Sequence, residues 1–84
     1  MPNLKIYSTP HCPYCKVAKA YFEKNNIQFS EINVEGNEEA LNEMIEKSGQ
    51  MEVPVFVIDE QIIAGFKKGE IDKLLGIKKP EQNN

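Results

Sequence analysis

Across 3–7, Asn-Leu-Lys-Ile-Tyr, apolar and polar side chains take turns, which predicts a strand with one buried face. Ser8, Thr9 and Pro10 break the pattern. From Pro13 onward, Val17, Ala18, Tyr21 and Phe22 recur at helical spacing, with Lys16, Lys19 and Glu23 on the other face, so a helix should run to about Asn25-Asn26. Ile27 to Val34 reads as a second strand whose alternation changes phase between Phe29 and Ile32, the mark of a bulge or of burial on two sides.

A second helix has both ends marked: Asn37 suits an N-cap, Glu38 and Glu39 suit its first turn, and Gly49 suits its end. Its predicted stripe is Leu41, Met44 and Ile45. Val53 to Ile58 is an almost unbroken apolar run rich in β-branched residues, as in a central strand buried on both faces, with Pro54 tolerable at its start. Asp59-Glu60 then joins it to a short antiparallel strand, Gln61 to Ala64. Gly65 permits a tight turn into a third helix carrying Ile71, Leu74 and Leu75, and 77–84 reads as a polar tail. The order strand, helix, strand, helix, strand, strand, helix predicts an α/β fold with a four-stranded mixed sheet flanked by three helices. That is the plan of a thioredoxin-like fold.

Eighty-four residues allow one small domain, 1–84. Apolar content of 40% and charged content of 27% suit a globular chain rather than a disordered one. No apolar run approaches the roughly 18 residues that would span a bilayer, and no secretory leader pattern opens the chain, so a cytoplasmic location away from membranes is expected. A net charge of −3 argues against nucleic acid as a partner. The acidic residues Glu35, Glu38, Glu39, Glu43 and Glu46 and the later lysines read mostly as solvated faces, and a monomer is expected.

The chemistry is concentrated in His11-Cys12-Pro13-Tyr14-Cys15, which holds both cysteines of the chain. In a reducing compartment such a pair is catalytic or metal-binding more often than structural. Two cysteines three apart at a helix start can lie within the roughly 4.4 to 6.8 Å Cα separation that a disulfide tolerates. With Cys12 at the N-cap and Pro13 at the first helical position, unpaired amides and the positive helix end face the Cys12 sulfur and favour its thiolate. Lys16 adds a positive charge one turn on, and His11 is a second candidate. Cys12 is therefore the expected attacking thiol and Cys15, which begins the apolar stripe, the resolving one. Structural zinc wants four ligands, and the chain has no second cysteine pair, so no resident metal is expected.

On these residues the chain resembles the glutaredoxin family, over its length to about residue 76. Cys12-Pro13-Tyr14-Cys15 matches the dithiol motif of that family letter for letter, and Val53-Pro54 matches its Val-Pro before the third strand. The resemblance implies a cis bond at Pro54 and a Val53 backbone that pairs with glutathione or peptide. It places Tyr14 at the border of the site. It implies reduction of protein disulfides and glutathione mixed disulfides, with glutathione as co-substrate and no tightly bound cofactor.

Two positions depart from the glutathione-using pattern: Thr9 stands where a lysine often precedes the first cysteine, and Ala64-Gly65-Phe66-Lys67-Lys68 replaces Gly-Gly with an acidic residue. The Gly65-Phe66-Lys67 pattern is similar to NrdH-type redoxins, some of which are recycled by thioredoxin reductase. That defines an alternative partner. Conversely, Lys67 or Lys68 at the third helix could meet a glutathione carboxylate. A third reading, an iron-sulfur cluster held by Cys12 of two chains and glutathione, is disfavoured by the proline after the first cysteine.

Overall fold

Leu4–Ser8 forms β1, and its burial departs from simple alternation: Leu4, Ile6, Tyr7 and Ser8 are all buried and only Lys5 is exposed. The computed structural model, which describes residues 3–77, shows why. β1 is interior to the sheet, parallel to β2 (Ser30–Asn33) and antiparallel to β3 (Val55–Ile58), which pairs antiparallel with β4 (Gln61–Ala64). The order is β2-β1-β3-β4. An interior strand is covered on both faces, so Tyr7 is buried opposite Leu4 and Ile6, and the expectation of one buried face is corrected.

The three helices are α1 (Pro13–Lys24), α2 (Glu38–Ser48) and α3 (Lys68–Leu75). Leu4, Ile6, Phe56, Ile58 and Ile63 pack with Ala18 and Phe22 of α1 and Ile71 of α3. Tyr7, Val55 and Val57 pack with Val34 and with Ala40 and Met44 of α2. β3 therefore divides its residues between the two layers, as its unbroken apolar run predicts. Phe22, fully buried, meets the rings of Phe29 and Phe56 at 5.9 Å each.

The shifted alternation before Val34 also resolves into two-sided burial. Ile27 and Phe29 pack on the α1 layer, whereas Ile32 and Val34 pack on the α2 layer. Glu31, between them, accepts hydrogen bonds from Lys19 of α1 and from the Ser8 hydroxyl, both at 2.7 Å. A charged pair thus occupies a position where continued alternation would place an apolar residue. The regular strand is shorter than Ile27–Val34, beginning at Ser30.

Helix ends follow local chemistry. The Asn37 side chain accepts from the Ala40 N–H at 3.1 Å, a cap of about 1 kcal/mol, and Gly49 closes α2 at φ 76°. The predicted helix stripes are corrected in all three helices. Val17 is 53% exposed, because the buried line of α1 runs through Cys15, Ala18 and Phe22 and Val17 turns off its edge. On α2 the fully packed positions are Ala40 and Met44, with Leu41 at the margin. On α3 Leu74 is exposed, and Asp72 is buried beside Ile71.

β3 begins at Val55 rather than Val53: the Val53–Pro54 peptide is cis, and proline has no N–H for a ladder. Of the expected polar tail, Ile77 is half-buried with its N–H on the Asp72 carbonyl at 2.9 Å. The remainder, 78–84, lies outside the described residues. Among the described residues no helix is long and apolar enough to cross a membrane.

Candidate active site

Strand directions bring the chemistry to one end of the sheet. β1 and β4 finish there and β3 starts there, so the segments at Thr9–Cys12, Val53–Pro54 and Gly65–Lys67 are neighbours. The Gly65 N–H donates to the Pro54 carbonyl at 2.8 Å, joining two of these segments directly. Gly65, at φ 88°, occupies the left-handed region that a side chain resists.

Cys12 is the N-cap of α1, with extended backbone (φ −98°, ψ 108°), and Pro13 fills the first helical turn. The Cys15 backbone N–H donates to the Cys12 sulfur at 3.1 Å. The two sulfurs pair as an intrachain disulfide across a Cα separation of 5.2 Å, as the spacing predicts. Cys12 is 7% exposed and Cys15 fully buried. The Cys12 N–H reaches the Thr9 carbonyl at 3.4 Å, which closes the turn leading into the helix.

The other expected residues surround this pair unequally. Tyr14 is 66% exposed on the first turn of α1, and Pro13 and Lys16 are also exposed. Val53 is half-buried against the α2 layer, and its N–H and C=O have no backbone partner among the described residues. Thr9 is half-buried and borders a cavity of about 280 Å³ shared with Pro10, Lys19, Glu31 and Asn33. His11 is exposed and lies 3.8 Å from Glu35.

The two lysines after Gly65 separate in role. Lys67 is exposed and makes no ion pair among the described residues. Lys68 is bound to Asp72 at 3.0 Å and sits over the Tyr21 ring, 4.7 Å from its centroid. Phe66 is half-buried, with its ring 6.0 Å from both Tyr21 and Phe56. Sequence patterns missed the Tyr21, Lys68 and Asp72 grouping. The i, i+4 spacing of Lys68 and Asp72 was the visible signal, but Tyr21 joins them across 51 positions.

A glutaredoxin family model matches residues 4–63. A glutaredoxin-like 8.6 kDa protein encoded in a rubredoxin operon of Clostridium pasteurianum is 50% identical over 72 residues, 86% of this chain and 96% of that one. Glutaredoxin 3 of Escherichia coli K12 is 42% identical over 82 residues, 89% of this chain and 99% of that one. Among solved structures, a mutant of the thioredoxin-like protein BC3987 superposes with a TM-score of 0.84 at 29% identity, covering 93% of this chain and all of that one. With its dithiol at the start of α1, the chain belongs to the glutaredoxin family and is a thiol-disulfide oxidoreductase.

Proposed function

We propose that this protein is a glutathione-linked, cytoplasmic oxidoreductase that reduces protein disulfides and glutathione mixed disulfides. The observation that carries the reading is the Cys12 sulfur at the N-cap of α1, accepting the Cys15 N–H at 3.1 Å beside the cis Val53–Pro54 bond. In the reduced protein that amide and the positive end of the helix favour a Cys12 thiolate. The Cys12 thiolate attacks a substrate disulfide, one substrate sulfur leaves as a thiolate, and Cys12 holds the other in a mixed disulfide. Cys15 then attacks the Cys12 sulfur, releases the second substrate thiolate and closes the Cys12–Cys15 disulfide. Two glutathione thiols restore the dithiol and leave as glutathione disulfide.

The unpaired Val53 backbone offers one N–H and one C=O to an extended peptide or to the peptide backbone of glutathione. Lys67 supplies the cation for a glutathione carboxylate in place of the lysine absent at Thr9. Tyr14, exposed between the two cysteines on the first turn of α1, borders the substrate in this reading.

One observation favours a second reading, recycling by thioredoxin reductase: Tyr14 and Val17, on the first turns of α1 after Cys12, and Met51, two residues before Val53, are exposed apolar side chains suited to a protein partner. Turnover of a glutathionylated peptide, measured with NADPH, glutathione and glutathione reductase and again with NADPH and thioredoxin reductase, separates the two. Turnover with the glutathione system is expected; turnover with thioredoxin reductase alone would replace the first reading by the second.

A further inference from the structure

Asp72 is 3% exposed, and a carboxylate so placed must be paired and hydrogen-bonded to persist there. One oxygen accepts the Tyr21 hydroxyl and the other accepts the Lys68 ammonium at 3.0 Å. That ammonium lies 4.7 Å from the Tyr21 ring centroid, and the same ring meets Phe66 edge-on at 6.0 Å. Two residues, Tyr21 of α1 and Lys68 of α3, therefore close around one carboxylate, and through the Tyr21 ring the group reaches the segment that leads out of β4. Burial and then the hydrogen bond to Asp72 push the Tyr21 ionisation up, which keeps its hydroxyl a donor.

The Gly65–Lys67 segment is held at two ends. On the redox side, Gly65 donates to the Pro54 carbonyl at 2.8 Å. On the other, Phe66 rests on Tyr21 and Lys67 is the N-cap of the helix that carries Lys68 and Asp72. The Lys67 N–H donates to the Gly65 carbonyl at 3.0 Å, so its exposed ammonium is carried on that turn. Asp72 is buried whereas the Lys68 side chain is 47% exposed, so the ion pair itself contributes modestly and the buried carboxylate depends on both partners to hold its place.

We infer that Tyr21, Lys68 and Asp72 act as a positioning clamp. They fix the Phe66–Lys67 segment beside Pro54 and so set the affinity for disulfide substrates, without touching the sulfur chemistry. Lys68 is consumed by the clamp, and Lys67 is the cation it presents. The inference deepens the proposed function and rests on it in assigning this segment to substrate contact.

Tyr21→Phe removes only the hydroxyl and keeps the ring that meets Lys68 and Phe66, and Asp72→Asn removes the charge. Each variant, pre-reduced and in excess, is mixed with a fluorescent glutathionylated peptide, and single-turnover rates give a half-saturating concentration and a maximal rate without any reductase. Half-saturation should rise about three- to tenfold, with the maximal rate within about twofold of wild type. Amide hydrogen exchange at Gly65 and Lys67, whose N–H groups donate to the Pro54 and Gly65 carbonyls, should quicken about tenfold while that of Val17 and Ala18 stays unchanged. Folded variants with wild-type half-saturation, or a loss confined to maximal rate, would overturn the clamp. If Asp72→Asn fails to fold, Tyr21→Phe decides. The same peptide carrying a β-mercaptoethanol adduct and one with an internal disulfide are run alongside. Equal wild-type affinity for the two adducts would remove the glutathione reading, and the clamp would then be judged on the internal disulfide by the same criteria.

Discussion

The backbone N–H of Cys15 donates to the sulfur of Cys12 at 3.1 Å, so Cys12, the proposed attacking residue, caps α1 through the amide of Cys15, the proposed resolving residue. This contact differentiates two chemically identical side chains: one sulfur ends a helix at the margin of solvent and the other is sealed in the core. In the reduced protein Cys12 should ionise below the ordinary thiol value of about 8.5. Thiolate absorbance followed against pH checks it, with Cys15→Ser isolating the Cys12 step. A Cys12 step at or above the ordinary value would remove the cap as the source of reactivity.

Lys67→Glu should raise KM for glutathione-bearing substrates by about three- to tenfold with little change in kcat, because it alters binding and not the reacting sulfurs. Added salt should shrink the difference, since an exposed charge is screened over roughly 10 Å at 0.1 M. An unaltered KM at low salt would remove Lys67 from the substrate site.

Local chemistry makes much of this legible in the sequence. Asn37 and Gly49 mark α2 because capping is local chemistry, and Cys12-Pro13 marks the start of α1 for the same reason. Tyr7 was not readable as a buried residue, because its burial depends on β1 lying between β2 and β3. Nothing in the sequence sets Asp72 apart, and only the meeting of α1 with α3 provides the tyrosine that makes its burial tolerable. The cysteines and Val53-Pro54 were legible because their chemistry is carried in short contiguous motifs. The roles of Lys67 and Lys68 were not, because adjacent identical residues are separated only by what each one touches.

Tyr7 makes a prediction about alkali. Its hydroxyl is buried with no partner at hydrogen-bonding distance among the described residues, and burial, with the Glu43 carboxylate acting from α2, pushes its ionisation from 10.0 up to about 12. The native state therefore holds this proton longer than the unfolded chain does. Its contribution to stability is full below about pH 10 and is lost as pH rises toward 12. Tyr7→Phe should flatten this part of the pH–stability curve and raise stability near neutrality by about 1 kcal/mol, because an unpartnered hydroxyl is removed. Denaturant titrations at neutral and alkaline pH check both; a loss of stability near neutrality would reveal a hydrogen bond that Tyr7 needs.

Glu31 makes the opposite prediction in acid. The Lys19 hydrogen bond first, and the Ser8 hydroxyl second, outweigh burial and hold its carboxyl below the usual 4.5. Its contribution is present above that value and is lost as pH falls through the lower folded-state value. Glu31→Gln should weaken the acid-induced fall in melting temperature below about pH 4.5. An unchanged acid profile would mean that the Lys19 and Ser8 contacts do not persist in solution.

The division of labour between the cysteines is the central claim, and one single-turnover measurement tests it most directly. Reduced Cys12→Ser and Cys15→Ser proteins are mixed with a peptide carrying labelled glutathione, and transfer of the label to protein is followed by mass. Cys15→Ser should take up the glutathione rapidly on Cys12 and release the peptide thiol, while Cys12→Ser should take up none on that timescale. Equal uptake by both variants, or faster uptake by Cys12→Ser, would contradict the assignment.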